Sequence, residues 1–254
     1  MARSARAVSE SGYYHVVLRG NGKQLLFEDD LDRHAFIDAA AEQFAQREVV
    51  VIAWCLMDNH VHLLLRDDAR QLSRAMQALA TKYAQRFNRK GGHAGHVFQE
   101  RFASFPVESD SYLLEAVRYI HNNPAKAGVC PVDEHWWSSY REYVGKAELA
   151  DTSIVLDMLG GVDALIAFQA ADAAGRYRLG GGHRIPDEEM GEVAAAVLAE
   201  SFGCAANEVK ALPKPRRNEC LVALHDVGLS IRQIGRLTGI GDRTIARVAS
   251  SKMA

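Results

Sequence analysis

The order in which strand-like and helix-like patterns follow one another most restricts the fold of this chain. Four short runs rich in aromatic and β-branched residues alternate with two longer segments, residues 27–47 and 72–90, whose apolar residues recur at helical spacing. The strand-like runs are YYHVVLRG, EVVVIAWCLM, HVHLLLR and VFQERFASFPVE. The resulting β-α-β-β-α-β order predicts an α+β domain with a ferredoxin-like sheet.

A further helix is predicted after the fourth strand. The segment SDSYLLEAVRYIHNNP begins with Ser109 and Asp110, which suit a helix N-terminus, and continues with apolar residues at helical spacing. Pro124 disfavours helical backbone in the residue before it, so this helix is expected to end near Asn123.

The composition of the second half divides the chain into three parts. An alanine-rich, weakly patterned stretch follows the first domain, and the glycine-dense RLGGGHRIP at 178–186 indicates a linker. Short helical patterns occupy the remainder. We therefore expect a first domain over residues 10–147, a helical extension and linker over 148–185, and a small all-α domain over 186–254.

The last domain contains a helix-turn-helix pattern. In LSIRQIGRLTGIGDRTIARVA, two helical segments flank a glycine-containing turn, with Ser230 and Asp242 near their starts. From Ser201 onward nine basic residues stand against four acidic ones, a charge balance that suits a phosphate backbone. The alternative is a helical bundle used for packing or dimer contacts. The side chains predicted to contact DNA here are Arg232, Arg243, Thr244 and Arg247.

Charge, cysteine spacing and hydropathy exclude several protein classes. With 30 basic and 32 acidic residues, the chain as a whole is not strongly basic. Any nucleic acid must therefore bind through local basic patches. The four cysteines form no C-x-x-C pair, which argues against a zinc cluster or a disulfide framework. No run approaches ~20 uninterrupted apolar residues, and a soluble, cytoplasmic protein without membrane contact is expected.

Two histidines in DNHVHLLL are candidate metal ligands. Because side chains alternate along a strand, His60 and His62 project from one face while Val61 points to the other. Imidazoles at this spacing can converge on one ion. Taken alone, the pattern favours structural or incidental histidines, since a metal site needs further ligands. Three other histidines, His15, His93 and His96, are candidates to join the site, although their favoured interpretation is as loop or surface residues.

Two tyrosines are candidate nucleophiles. Tyr119 and Asn123 are four residues apart, so a phenol and an amide would share one face of the last predicted helix. A tyrosine can attack phosphorus when a base or metal assists. The alternative is a half-buried aromatic residue and a simple helix end. Tyr83 is the rival nucleophile. With Lys82, Arg86, Arg89 and Lys90 it also forms a predicted nucleic-acid-binding face, the alternative being an exposed charged face that binds nothing.

The segments YYHVVLRGN, CLMDNHVHLLL, YAQRFNRKGGHAGHVFQERF and YLLEAVRYIHNNPAKAGV, in this order, resemble the single-tyrosine HUH transposases, most closely the REP-associated tyrosine transposases. The resemblance covers roughly residues 10–145 and implies a ferredoxin-like fold. It further implies that His60 and His62 bind Mg²⁺ or Mn²⁺, with Asn123 as a third ligand. Tyr119 would cleave single-stranded DNA, forming a 5′-phosphotyrosine link and freeing a 3′-OH, and Tyr83 would contact DNA or pack.

The function implied by the resemblance is that of a DNA endonuclease and strand transferase acting on hairpin-forming repeats, as a monomer or homodimer without a small-molecule cofactor. The C-terminal helices resemble, more loosely, the DNA-binding domain of the replication initiator DnaA. One alternative is a non-catalytic, sequence-specific DNA-binding regulator. Another is a metal-dependent phosphoesterase that acts on small molecules through activated water.

Overall fold

The computed structural model describes residues 7–92, 95–171, 187 and 190–250. The chain divides into two compact units, residues 1–172 and 173–254. The predicted linker, residues 178–186, lies outside the described residues. Residues 148–171 belong to the first unit, whereas the sequence placed them in a separate extension.

The first unit contains a four-stranded antiparallel sheet in the order β2-β3-β1-β4. Its strands are β1 (Tyr13–Arg19), β2 (Val50–Met57), β3 (His60–Arg66) and β4 (Ala103–Pro106). Helix α1 (Asp30–Ala45) links β1 to β2, and α2 (Leu72–Gly91) links β3 to β4. This order and topology confirm the ferredoxin-like prediction.

Strand β4 is shorter than the predicted run of residues 97–108. Val97 and Phe102 are five positions apart, an odd number that would put them on opposite faces of a strand, yet both lie in the core. The segment before Ala103 therefore does not keep the alternation of a strand. Beyond β4, Val107 still donates its backbone N–H to the carbonyl of Tyr13 at 3.0 Å, an ordinary hydrogen-bond distance.

One face of the sheet packs against α1 and α2. Val16 of β1 and Val61 and Leu63 of β3 point into this layer and are almost fully buried. They meet Phe36 of α1 and Leu79 of α2. The alternation that buries Val61 leaves its two neighbouring histidines on the opposite face, as the sequence predicts.

Helix α3 (Asp110–His121) contacts β2 and β3 and is followed by four short helices. These are α4 (Asn123–Lys126), α5 (Tyr140–Val144), α6 (Ser153–Leu159) and α7 (Val162–Ala170). The Ser109 hydroxyl accepts the N–H of Tyr112 and caps α3, as predicted.

Hydrogen bonds to the edge of β2 explain why the first unit extends beyond residue 147. The buried Glu142 carboxylate accepts the Trp54 indole N–H at 2.7 Å through one oxygen. Its other oxygen accepts three backbone N–H groups, those of residues 148, 149 and 150, each at 2.8 Å. Asp151 then donates its N–H to the Val51 carbonyl at 2.8 Å. These long-range bonds attach the alanine-rich stretch to the sheet.

The second unit has its own core. Its helices are α8 (Met190–Phe202), α9 (Lys214–Asp226), α10 (Ile231–Thr238) and α11 (Asp242–Ser250). Leu198, Leu221, Ile234 and Ile245, one from each helix, are all buried in it. The helix pair and short turn predicted from the sequence are therefore present.

A capping box and a close helix crossing define the α10–α11 pair. The Ser230 hydroxyl accepts the N–H of Gln233, whose side chain in turn accepts the N–H of Ser230. Gly239 ends α10 with a left-handed φ of 67°. A Cβ at Gly235 would lie 2.8 Å from a carboxylate oxygen of Asp242, so glycine permits the two helices to approach.

Within the described ranges, no single helix is long and apolar enough to cross a membrane. Helices α6 and α7 pass that test only as a pair, by length and composition, and are bent by 78° at their junction.

Candidate active site

Strand β3 places both candidate ligand histidines on the sheet face opposite α1 and α2. His62 is 2% exposed and lies across from Val17, while the half-buried His60 lies across from Arg19. Their ring centroids are 5.0 Å apart. Both Nε2 atoms approach the Asn123 amide, that of His60 at 3.3 Å from Oδ1 and that of His62 at 3.2 Å from Nδ2.

Tyr119 lies beside these histidines. Its ring centroid is 5.7 Å from that of His62, in an edge arrangement, and the side chain is half-buried. Helix α3 ends at His121, so Asn123 begins the next helix instead of continuing the same one. The two predicted partners nevertheless reach one site, because both contact His62.

Two cations border the candidate nucleophile. The Lys126 ammonium lies 4.6 Å from the Tyr119 ring centroid. Burial raises the pKa of the Tyr119 phenol, and the positive charge of Arg19 opposes that shift. The phenol is therefore protonated at neutral pH, and its use as a nucleophile requires that its proton be removed.

The hydrogen-bonding groups of the site fit a divalent cation. His60 Nδ1 lies 2.7 Å from the Asn59 side-chain oxygen, an acceptor, so in a neutral ring it carries the hydrogen. The lone pair of His60 Nε2 then faces Asn123 Oδ1, also an acceptor, across 3.3 Å. Two facing acceptors with no hydrogen between them favour a cation at that place.

Burial favours the ligand form of both imidazoles. It lowers the pKa of His60 and lowers that of His62 well below its ordinary value, so both rings are neutral at pH 7. In the described part of the chain, no three His, Cys, Asp or Glu side chains are grouped around a metal position. The side chains that would hold a cation here are two imidazoles and one amide, a set that suits Mn²⁺ better than Mg²⁺.

The interpretation of His15 as a loop or surface residue is wrong. His15 is completely buried in β1, and its Nε2 lies 2.9 Å from Nδ1 of His62. Strand alternation was the available signal, since it places His15 and Arg19 on the same face of β1. His96 is exposed, in agreement with its interpretation, and His93 lies outside the described residues.

The structure also corrects the predicted nucleic-acid face of α2. Tyr83 is 1% exposed and packs against Phe27 and Phe36. Its hydroxyl donates a hydrogen bond to the Leu26 carbonyl. A ring buried in this way is not accessible for stacking on a nucleic-acid base. Of the two roles expected for Tyr83, DNA contact or packing, the structure shows packing. Lys90 is paired with Asp29 at 2.8 Å and with Asp32 at 2.7 Å.

Two side chains of that face, Arg86 and Arg89, are exposed. On the second unit, Arg232, Arg243 and Arg247 are also exposed, and Thr244 is partly so. Arg243 and Arg247 are four residues apart on α11 and therefore share one face. Contact of these side chains with DNA stays a prediction.

Acid should destabilise the first unit. Burial lowers the pKa of both His15 and His121 to about 3, whereas an unfolded histidine titrates near ~6.5. The folded state thus binds fewer protons, and the free energy of unfolding should fall as pH drops from about 6.5 towards 3. The expected slope is up to about 1.4 kcal/mol per pH unit for each histidine. Denaturant unfolding between pH 4 and 8 measures this.

Two variants measure how much His121 alone contributes to the pH dependence of the free energy of unfolding. His121→Gln should reduce the slope by about one histidine's share, because the buried imidazole that must stay neutral is gone. His34→Gln, at an exposed ring, is the matched control. An equal slope in His121→Gln and wild type would contradict the assignment.

Residues 8–123, just under half of the chain, match a protein family described as "Transposase IS200 like". The match spans β1 to α3 and includes all the candidate metal ligands and Tyr119. No curated protein matches the chain significantly.

Two solved structures are similar to the chain. One is a REP-associated tyrosine transposase bound to a REP hairpin, with 17% identity, a TM-score of 0.49, and coverage of 60% of this chain and 93% of that one. The other is a putative transposase from Deinococcus radiodurans R1, with 19% identity, a TM-score of 0.35, and coverage of 48% and 97%. The similarity to the IS200-like transposases thus covers residues 8–123, the segment that contains the candidate site.

Proposed function

We propose that the first unit is a metal-dependent, single-strand-specific DNA endonuclease and strand transferase with Tyr119 as its nucleophile. One observation carries the proposal. The Tyr119 ring lies 5.7 Å from that of His62, and the Nε2 atoms of His60 and His62 both approach the Asn123 amide. A phenol and a set of metal donors thus meet on one partly exposed face of the sheet.

The chemistry follows from these side chains. The Tyr119 oxygen attacks the scissile phosphorus; the bond from phosphorus to the 3′ oxygen breaks, and the electron pair and a proton go to that oxygen. The products are a 5′-phosphotyrosine and a free 3′-OH. Attack by a 3′-OH reverses the step, so strand joining needs no external energy source.

The remaining groups hold and orient the DNA phosphate. His60, His62 and Asn123 would hold Mn²⁺ or Mg²⁺, which when bound neutralises phosphate charge. Lys126, whose ammonium lies 4.6 Å from the Tyr119 ring centroid, is placed to attract the same phosphate. Following the sequence resemblance, we further propose a hairpin-forming repeat as the substrate.

A covalent adduct tests this function. The full chain is incubated with labelled single-stranded hairpin DNA and Mn²⁺ or Mg²⁺, then denatured and separated by size. A denaturant-resistant protein–DNA adduct, abolished by a chelator, is expected. DNA binding without any adduct would favour the regulator, and phosphate release from small esters without an adduct would favour the phosphoesterase.

The second unit is proposed to supply electrostatic DNA affinity through α11. The double variant Arg243→Ala, Arg247→Ala should weaken DNA binding and reduce the slope of log K against log salt by about 1 for each lost phosphate contact. Titration at several salt concentrations measures both quantities. Lys214→Ala, at an exposed residue on α9, is the matched control. An unchanged slope in the double variant would remove α11 from the DNA interface.

A further inference from the structure

We propose that His15 is a positioning residue that fixes the tautomer of His62, keeping the hydrogen on Nδ1 and the lone pair on Nε2. The inference rests on the proposed metal-dependent function and deepens it. It assigns a task to a buried side chain that does not itself belong to the donor set.

The geometry is that of a dedicated hydrogen bond. His15 Nε2 lies 2.9 Å from His62 Nδ1, and the two side chains are 0% and 2% exposed. His15 pairs with Leu64 across the β1–β3 ladder, so it is the diagonal neighbour of His62 on the same face of the sheet. Water does not compete for this bond.

The hydrogen count sets the direction of the bond. The Asn123 amide Nδ2 donates to His62 Nε2 across 3.2 Å, so that nitrogen presents a lone pair. A neutral imidazole has one hydrogen, which must then be on Nδ1, and it is donated to Nε2 of His15. The lone pair of His62 Nε2 is thereby directed towards Asn123, the position that a metal would share.

Without this acceptor, only the contact of Nε2 with the Asn123 amide favours the hydrogen on Nδ1, so the form with the hydrogen on Nε2 becomes more populated. Each molecule with the hydrogen on Nε2 has no lone pair for a metal there. Partners of this kind behind metal-bound histidines are worth roughly 10–100-fold in metal affinity. The His15 ring also lies 5.8 Å from that of Tyr119, edge-on, so it supports the nucleophile and the ligand together.

The test combines a tautomer measurement with metal affinity. In metal-free wild-type protein labelled with ¹⁵N-histidine, long-range ¹H–¹⁵N spectra should show His62 protonated at Nδ1. In His15→Leu, which has no acceptor, His62 should show a mixture, and Mn²⁺ affinity measured without DNA should fall roughly 10–100-fold. His15→Gln, which offers a carbonyl oxygen, should recover most of that loss. His135→Gln removes a histidine that bonds the Leu56 carbonyl and should leave affinity unchanged.

The outcomes separate this inference from the proposed function. His62 protonated at Nε2 in wild type would overturn the inference, and this measurement needs no variant to fold. Equal Mn²⁺ affinity in wild type and His15→Leu would also overturn it, while the metal-dependent function would stand. A wild-type protein that binds no Mn²⁺ would overturn both.

Discussion

Replacing Tyr119 with Phe should abolish the covalent protein–DNA adduct, with a loss of at least about 10³-fold, the scale expected when a nucleophile is deleted. The change removes one oxygen and keeps the ring that lies against His62 and beneath Lys126. The half-buried position means that the fold should tolerate it. Gel separation of the adduct under denaturing conditions, with DNA binding measured in parallel, gives the result.

Tyr83→Phe is the matched control. Its hydroxyl donates to the buried Leu26 carbonyl, so the change should cost about 1–3 kcal/mol of unfolding free energy and leave adduct formation in place. Adduct formation that survives in Tyr119→Phe and disappears in a folded Tyr83→Phe protein would show that the wrong tyrosine has been assigned.

Replacing Arg118 with Met should lower the free energy of unfolding of the first unit by about 3–5 kcal/mol. The Arg118 guanidinium pairs with Glu115, and the two side chains are only 3% and 7% exposed. It also donates to the Phe168 carbonyl at 3.0 Å and lies 4.0 Å from that ring's centroid. The substitution would leave a buried carboxylate without its partner and loosen α7 from α3, the helix that carries Tyr119.

Tryptophan fluorescence isolates this effect in the full chain. All three tryptophans, Trp54, Trp136 and Trp137, lie in the first unit, so denaturant unfolding followed by their emission reports on that unit. Adding Glu115→Leu to Arg118→Met should recover much of the loss, because no unpaired charge then stays buried.

Lys82→Met provides the surface comparison for the same measurement. Lys82 pairs with Glu42, but the two side chains are 47% and 48% exposed. Solvent screens such a pair, so its removal should cost far less than removal of the buried Arg118–Glu115 pair. Equal losses in Lys82→Met and Arg118→Met would contradict the role given to burial.

The sequence by itself determined the features that depend on neighbouring residues. The alternation in HVHLLLR buries Val61 and leaves His60 and His62 together on the other face. The spacing in the two helical segments and the strand-like runs specified the β-α-β-β-α-β order, and Ser109 and Ser230 cap the helices they were expected to cap. Each depends on a local period or a local hydrogen bond, which a single sequence displays.

Only the tertiary structure decided which side chains meet across long separations. It placed His15 against His62, 47 residues away, and turned Tyr83 inward to Leu26, 57 residues away. It also paired Lys90 with Asp32 and attached residues 148–151 to β2 through Glu142 and backbone bonds. A histidine, a tyrosine and a lysine have the same letters whether exposed or buried. Their roles follow from packing, because burial selects the neutral or paired form and fixes the partner.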